Sequence, residues 1–396
     1  MFMSHAMEKI HSPHYFLLES SLGGRYTIEA WDPVEVIRAK PGEKFFELLR
    51  SKLKGMPQVD APEAPFAGGW IGYLGYELYD EIESSIVPRP TTLIPRAVFA
   101  RFEQFKIHEH RNQATVTATS PQPVLSVTNE STRGDYIRKV EKIRELLEAG
   151  ECYQVNLSQK FSAIVHHPSS VIYQRLREIS PSPFAAYLNL GDAQILSSSP
   201  ESFLSVDGRR VVTRPIKGTR PRGATPEEDA RLKEDLETSA KDHAELLMIT
   251  DLERNDLGRV CTPGSVRVRD LAKVETYPQV HHLVSTIEGE LAQGRDVVDL
   301  LQATFPGGSI TGAPKVRAMQ IIRELETHAR EVYCGAIGYV SANGKAQFNV
   351  AIRTLIVKDK TAYFWGGGGI VADSDPEKEY EETLVKVKGI KNALDW

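Results

Sequence analysis

The chain has 396 residues, of which 41% are hydrophobic and 26% are charged, which suits two or three globular domains with a large core. Its formal net charge of -5 argues against a nucleic-acid-binding protein, which usually carries a basic face. No apolar run approaches the roughly 18 residues of a membrane span. The three cysteines are far apart and form no zinc or disulfide pattern. We therefore expect a cytoplasmic protein, in a reducing compartment, that binds neither nucleic acid nor membrane.

The first 110 residues indicate strands and turns. Glycines alternate with aromatic residues at 68–76, a pattern that predicts a closely packed strand with a bend. Residues 120–132 are rich in proline, serine, threonine and asparagine, and they predict a surface linker. We therefore divide the chain into an N-terminal region, 1–120, and a larger region, 130–396.

The larger region combines helices with hairpins. Apolar residues at helical spacing, with start and stop signals, predict helices at 135–149, 171–179, 226–238, 239–256, from about 314 to 328, and 376–394. Strands are predicted at 151–158, at several places in 184–213, and as an antiparallel meander at 332–371 with a hairpin turn at Asn343-Gly344. Hairpins interleaved with helices, without regular βαβ units, are typical of an α+β fold.

The stretch 213–223 concentrates positive charge around one lysine, Lys217. Three arginines surround it in the sequence, at Arg214, Arg220 and Arg222. Like charges disfavour the protonated amine, so the pKa of Lys217 should fall if the side chain is also screened from water. A neutral amine is a nucleophile, and Gly218 allows the backbone to approach whatever the lysine touches. A solvated basic loop is the alternative that this segment alone leaves open.

Two predicted helices carry pairs of carboxylates. Glu379 and Glu382 stand three residues apart in the last helix, with Lys386 one turn further, and Asp242 and Glu245 repeat the spacing in the helix at 239–256. Each pair borders an apolar stripe, so its carboxylates would repel one another unless a cation lay between them. Oxygen ligands without histidine or cysteine suit Mg²⁺. Solvated helix charge is the alternative for either pair.

Three further patterns are candidates for anion binding or acid–base chemistry. The run Gly366–Gly369 could bring backbone N–H groups close to an anion, although a flexible turn is the alternative. Arg353 lies on the minority face of a predicted strand, where it could bind a carboxylate bidentately or form a surface ion pair. His281 and His282 could supply a general acid or base, although a structural role is the alternative.

Taken together, several segments closely resemble the chorismate-binding enzymes. The resemblance covers roughly residues 130–396 and rests on Gly150–Ser158, Ser199–Ser202, Pro215–Thr219, Asp251–Leu257, Phe305–Gly308, Thr311–Lys315 and Glu379–Thr383. It implies an α+β fold in which large antiparallel β-sheets pack as a sandwich with helices outside. Both predicted regions, 1–120 and 130–396, are then expected to merge in one compact sandwich.

The resemblance also implies roles for individual residues. Glu245 and Glu382 would bind Mg²⁺ directly, and Asp242 and Glu379 would do so through water, so that the metal holds the ring carboxylate of chorismate. Glu201 would be the general acid that protonates the departing C4 hydroxyl. The substrate-binding and remaining catalytic residues would be Gln154, Lys217, Gly218, Thr219, His282, Tyr333, Arg353, Gly367, Gly368, Gly369 and Lys386.

Two positions then separate the members of the family. Members that use water carry a lysine base where this chain has Gln154, and members that form anthranilate usually carry alanine where this chain has Lys217. The resemblance therefore implies a transferase in which Lys217 attacks C2 of chorismate and ammonia then adds at C4. The product would be 4-amino-4-deoxychorismate, for p-aminobenzoate and folate synthesis, with ammonia supplied by a glutamine amidotransferase partner. The alternatives are an anthranilate-forming enzyme and a non-catalytic scaffold that only binds a partner.

Overall fold

The computed structural model describes residues 10, 12–20, 26–40, 42–109 and 127–395. The predicted linker therefore lies outside the described residues up to position 126. All three cysteines are buried and unpaired. No helix in the described ranges is long and apolar enough to cross a membrane.

Twenty strands build the described part of the chain into sheets. The first ten, in chain order, are β1 (Phe16–Glu19), β2 (Tyr26–Ala30), β3 (Glu35–Arg38), β4 (Gly69–Leu74), β5 (Ala97–Phe102), β6 (Phe105–Glu109), β7 (Thr128–Asn129), β8 (Gln154–Ile164), β9 (Phe184–Asn189) and β10 (Gln194–Ser199). The next ten are β11 (Ser202–Asp207), β12 (Arg210–Arg214), β13 (Ile216–Pro221), β14 (Arg267–Thr276), β15 (Val280–Glu290), β16 (Gly312–Ala313), β17 (Ala336–Ser341), β18 (Lys345–Val350), β19 (Thr354–Lys358) and β20 (Thr361–Ile370).

Helices connect these strands. They are α1 (Phe45–Lys54), α2 (Arg133–Glu148), α3 (Ser169–Ile179), α4 (Pro226–Thr238), α5 (Ala240–Gly258), α6 (Val297–Thr304), α7 (Lys315–Leu325) and α8 (Pro376–Leu394), with short 3-10 helices at Tyr76–Glu81 and Gly308–Ile310. The predicted helices agree with α2, α3, α4, α5, α7 and α8 to within a few residues. The sequence reasoning missed α1 and α6. The first has no side-chain cap, but the second has a capping box, Asp296 with Asp299, that could have revealed it.

The strands form two large antiparallel sheets. The first sheet has the order β16-β8-β20-β19-β10-β9-β1-β2-β6, with β7 beside β8. The second has the order β13-β15-β12-β11-β18-β17-β4-β5-β3, with β14 beside β15. Strands from the N-terminal region pair with later strands in both sheets, as β1 does with β9 and β4 with β17. The predicted α+β fold with large antiparallel sheets is confirmed.

The main core contains buried side chains from both sheets. Phe16 and Leu188 belong to the first sheet, and Trp70, Phe99 and Phe348 belong to the second. Burial of such large apolar side chains stabilises a protein by about 1.5–3 kcal/mol each. The same core therefore fixes the position of each sheet relative to the other.

The predicted meander at 332–371 is wrong in one respect. Its four strands form two hairpins in different sheets, because β17 and β18 pair in the second sheet whereas β19 and β20 pair in the first. The chain crosses between the sheets at residues 351–353. This crossing carries Arg353 and therefore bears directly on the candidate site.

Candidate active site

The glycine run forms the end of β20, so its interpretation as a flexible turn is wrong. Gly366–Gly369 pair with Asn156–Gln159 of β8 along one edge. On the other edge β19 pairs only with Thr361–Phe364, so within the described residues the glycine run has no strand partner there. On that edge the carbonyl oxygen of Gly367 instead accepts a hydrogen bond from a side chain, that of Lys386.

Helix α8 explains why these residues are glycines. A Cβ atom on Gly368 would lie 3.2 Å from Glu379 Oε2, 3.5 Å from Glu382 Oε1 and 3.7 Å from Lys386 Nζ. Lys386 donates a hydrogen bond of 2.9 Å to the carbonyl oxygen of Gly367 and forms an ion pair of 2.6 Å with Glu382. The missing side chains thus allow three charged groups of α8 to lie against the strand.

Lys217 lies on β13, where carboxylates of both α5 and α8 affect its pKa. Its side chain keeps some exposed surface, but burial of its amine lowers its pKa, and the positive charge of Lys386 lowers it further. The carboxylates of Glu245, Glu201 and Glu382 act in the opposite direction. The predicted lowering of the pKa of Lys217 is therefore confirmed in direction.

The three arginines are not its cause. Each of them is engaged by a carboxylate: Arg214 by Glu275, Arg220 by Asp235 and Asp242, and Arg222 by Asp229. The negative charge of these carboxylates therefore largely cancels the effect of the arginines on the pKa of Lys217. The sequence shows the arginines but not the acids that fold onto them.

Gly218 brings this segment under α5. Its φ is +69°, in the left-handed region, and the pairing of β13 with β15 shifts register between Lys217 and Thr219. A Cβ atom here would lie 2.8 Å from the side chains of both Asp242 and Leu236. Only glycine allows Asp242 to come this close to the backbone beside the lysine.

Glu201 has the properties of a proton donor near neutral pH. Its side chain is only 5% exposed, and burial raises its pKa to about 7. The Ser309 hydroxyl beside it and the charges of Lys217 and Lys386 favour the carboxylate and limit the rise. A carboxyl group with this pKa suits general acid catalysis.

His282 is buried and uncharged at neutral pH. Its Nδ1 lies 2.9 Å from Thr219 Oγ1, and its pKa is lowered to about 4 by burial and then by the charge of Arg353. The neighbouring His281 contacts Thr276 and Asp229, which assigns it a structural role. The two histidines of the pair therefore have different environments.

The prediction that Arg353 lies on the face of a strand is wrong. β18 ends at Val350, and Arg353 lies in the crossing between the sheets with a φ of +49°. Burial alone lowers its pKa. Its positive charge also lowers the pKa of His282 on β15.

Tyr333 and Gln154 line the other side of the glycine run. The ring of Tyr333 stacks on Trp365, the residue before the glycines, with centroids 6.1 Å apart and an interplanar angle of 11°. Gln154 is fully buried, its carboxamide would lie 3.0 Å from a Cβ atom on Gly369, and neither of its amide atoms has a hydrogen-bond partner. Asn156 Oδ1 is also buried without a partner. Buried polar atoms without partners are expected where a polar ligand or water completes the site.

The sequence reasoning missed Asn156, Ser309 and Trp365 as members of this site. Asn156 could have been found, because it stands two residues after Gln154 and so shares its face of β8. Trp365 directly precedes the glycines. Ser309 gave no local signal, since only the fold brings its loop to Glu201.

The carboxylates of α5 and α8 fit a divalent cation in charge and donor type. Burial raises the pKa of Glu245 and of Glu379, and for both the charge of Glu382 adds to the rise. Lys241 lies 3.9 Å from Glu245, while Lys386 pairs with Glu382, so lysines now offset part of the negative charge. Within the described residues no three such side chains converge tightly enough to form a ready ligand set. The donors are nevertheless all oxygens, which Mg²⁺ prefers.

Comparisons with known proteins show which family this chain resembles over its length. Residues 14–392 match the family model described as chorismate binding enzyme. The chain is 37% identical to aminodeoxychorismate synthase component 1 of Bacillus subtilis (strain 168), covering 96% of this chain and 92% of that protein. It is also 37% identical to anthranilate synthase component 1 of Streptomyces coelicolor (strain ATCC BAA-471 / A3(2) / M145), covering 96% and 83%.

A solved structure shares the fold over almost the whole chain. The crystal structure of anthranilate synthase component I from Streptococcus pneumoniae TIGR4 has a TM-score of 0.82 and 33% sequence identity, and the match covers 93% of each chain. The chain therefore belongs to the chorismate-binding enzyme family and is a chorismate-utilising enzyme.

Proposed function

We propose that this chain is an aminodeoxychorismate synthase component 1, a transferase that converts chorismate and ammonia to 4-amino-4-deoxychorismate. Overall identity does not separate this function from anthranilate synthesis, because the chain is equally identical, at 37%, to a relative of each kind. The observation that carries the proposal is Lys217, whose amine is desolvated beside Glu201. Anthranilate-forming members usually have alanine at this position.

Substrate binding is the first part of the proposed mechanism. Arg353 and Tyr333 would bind the enolpyruvyl carboxylate of chorismate, while the open edge of Gly367–Gly369 and the ammonium of Lys386 would face its anionic groups. Glu245 and Glu382 would bind Mg²⁺ directly, with Asp242 and Glu379 bound through water. Bound Mg²⁺ would supply positive charge for the ring carboxylate.

The covalent step uses Lys217 and Glu201 together. The neutral amine of Lys217 forms a bond to C2 while both conjugated ring double bonds shift, from C1=C2 and C5=C6 to C1=C6 and C4=C5, and the bond from C4 to its hydroxyl breaks. Glu201 donates its proton to that hydroxyl, which leaves as water. His282, uncharged beside the ring, does not add a positive charge that would attract the carboxylates away from their own partners.

Ammonia completes the reaction. It forms a bond to C4, both ring double bonds shift back, and the bond from C2 to Lys217 breaks, which releases the lysine as a neutral amine. The new C4 ammonium, or solvent, returns a proton to Glu201. The sum is chorismate plus ammonia giving 4-amino-4-deoxychorismate plus water, and the enolpyruvyl group remains attached.

Two considerations suggest where the ammonia comes from, namely the chemistry of the reaction and the names of the relatives. The relatives are called component 1, which implies a second component, and we propose that it is a glutamine amidotransferase. Gln154, in place of a lysine base, makes activation of water at the site unfavourable. We further propose that the enzyme acts in the cytoplasm, in p-aminobenzoate and folate synthesis.

A product assay tests the proposal directly. The purified chain is incubated with chorismate, Mg²⁺ and ammonium at alkaline pH, where free ammonia is available, and products are identified by mass spectrometry. We expect 4-amino-4-deoxychorismate without release of pyruvate. Anthranilate with pyruvate would contradict the proposal and favour the second candidate, which the Streptococcus pneumoniae structure supports through its close overall similarity.

A further inference from the structure

A fully buried ion pair lies behind the candidate site. Arg330 is 1% exposed and Glu326 is 2% exposed, and the guanidinium donates to both carboxylate oxygens at 2.9 and 2.7 Å. Burying two charges costs several kcal/mol per ion before their attraction is counted, so such a pair is weak evidence for stability. Its remaining hydrogen bonds indicate what else it does.

Those bonds join three separate segments that line the site. Arg330 donates to the carbonyl oxygens of Asn156, at 2.7 Å, and of Ile310, at 3.0 Å. Glu326 accepts from both the backbone N–H and the hydroxyl of Ser158, at 2.8 and 2.7 Å. The pair thus holds the strand that carries Gln154 and the loop that carries Ser309, the neighbour of Glu201.

The third segment is the one that carries Tyr333. The backbone N–H of Tyr333 donates to the carbonyl oxygen of Arg330 at 2.9 Å, and Cys334 N–H donates to Ala351 at the same distance. Ala351 opens the crossing that leads to Arg353. Backbone hydrogen bonds therefore link Arg330 to Tyr333 and, through Cys334 and Ala351, to the segment of Arg353. These are the two residues expected at the enolpyruvyl carboxylate.

A second carboxylate, from the N-terminal region, fixes Arg330 from behind. Glu77 is 3% exposed, and its two oxygens accept from the backbone N–H groups of Arg330, at 2.7 Å, and Glu331, at 3.0 Å. The Tyr76 ring lies 4.6 Å from the guanidinium carbon of Arg330. We call Glu77, Glu326 and Arg330 the buried bracket.

We propose that the buried bracket is a positioning device for chorismate turnover, which sets the mutual placement of Gln154, Tyr333 and the Ser309 loop beside Glu201. It touches neither substrate nor reacting atoms. The inference rests on the proposed function in one respect, because it assumes that these three segments line the chorismate site. The planar guanidinium makes four hydrogen bonds at once, to both Glu326 oxygens and to the carbonyl oxygens of Asn156 and Ile310, whereas a lysine ammonium has only three donors, so lysine cannot replace it.

The test compares two conservative variants, Arg330→Lys and Glu326→Gln, with a matched control. In the control, Glu288→Gln, the altered carboxylate is also buried and accepts from two arginines, Arg210 and Arg267, but it lies outside the site. Chorismate consumption, the pH profile of kcat/KM and thermal unfolding are measured for the full chain. Chorismate binding by calorimetry gives a second readout that needs no turnover and no knowledge of the product.

We expect Arg330→Lys and Glu326→Gln to lower kcat/KM by about 100-fold per folded molecule, since misplacement of site groups by about 1 Å has effects of this size. The pH profile should keep its shape, because the titrating groups are unchanged, and the control should match the wild type. Variants that fold and retain wild-type kcat/KM, or that lose only as much activity as the control, would overturn the proposal.

A double variant decides the matter if the single variants unfold. Glu326→Leu combined with Arg330→Met removes both charges, and such replacements are often neutral for stability. A folded double variant that still binds and consumes chorismate like the wild type would overturn the positioning role. A folded variant with the same roughly 100-fold loss would support it. Failure of the wild type to make 4-amino-4-deoxychorismate would instead concern only the proposed function.

Discussion

Lys217 and Lys315 both lie shortly after a proline and close to a glycine in the sequence, but their environments are opposite. Lys315 is anchored: its amine pairs with the buried carboxylate of Asp256 and donates to the carbonyl oxygen of Thr304 at 3.0 Å. Within the described part of the chain Lys217 forms no ion pair, and burial lowers its pKa. A paired lysine stays a structural cation, whereas a desolvated lysine without a close partner becomes a nucleophile.

The largest effect is expected from Lys217→Ala. Loss of the nucleophile should lower kcat by roughly 10⁴-fold or more, as removal of a nucleophile does in other covalent mechanisms. Mass spectrometry of the quenched wild-type enzyme should show a chorismate-derived adduct on Lys217, absent in the variant. The Lys217→Met variant should unfold at the wild-type temperature or above, since it removes a desolvated amine. Full amination by Lys217→Ala would remove the basis of the comparison.

The next effect concerns the proton that Glu201 is proposed to supply. Its raised pKa, about 7, means that the carboxyl is protonated below that pH and ionised above it. The proposed reaction needs the protonated form, so kcat at constant free ammonia should fall as the pH rises through about 7. Glu201→Gln should lower kcat by about 10²–10⁴-fold and remove this alkaline decline. An unchanged alkaline limb in the variant would assign the general acid to another group.

Glu245 and Glu382, whose negative charges raise the pKa of Lys217, should also bind the metal. Glu245→Gln and Glu382→Gln are expected to weaken Mg²⁺ binding by at least about 10- to 100-fold. Calorimetry without chorismate measures this directly, and the Mg²⁺ dependence of chorismate consumption gives a second value. Glu377→Gln, an exposed residue of the same helix that pairs with Arg133, is the control and should match the wild type. Equal affinity in all three variants would contradict the proposed site.

The smallest effect on activity is expected at the anchored lysine. Among the residues that the structure describes, Lys315→Met leaves Asp256, which is 4% exposed, with Arg259 as its one ion-pair partner. The free energy of unfolding should fall by about 3 kcal/mol, measured in urea, while kcat per folded molecule stays at the wild-type value. A large fall in kcat without a change in stability would show that the two lysines do not differ as described here.

Much of the local structure could be predicted from the sequence. Apolar spacing and caps placed α8 at the residues where it is found and α2 within two residues, because helix periodicity is a property of a short segment. The same periodicity put Glu379 with Glu382, and Asp242 with Glu245, on the inner edges of their helices. The resemblance to a family then supplied the α+β sandwich, which the structure confirms.

Other features depended on contacts between distant segments. Only the tertiary structure decided that β18 and β19 belong to different sheets, which moves Arg353 off a strand and into a crossing with positive φ. It also decided that burial and Lys386, not the neighbouring arginines, lower the pKa of Lys217. Sequence spacing determines which residues share a face of one element. Strand pairing and burial are settled between segments hundreds of residues apart, and they set the charge that each side chain experiences.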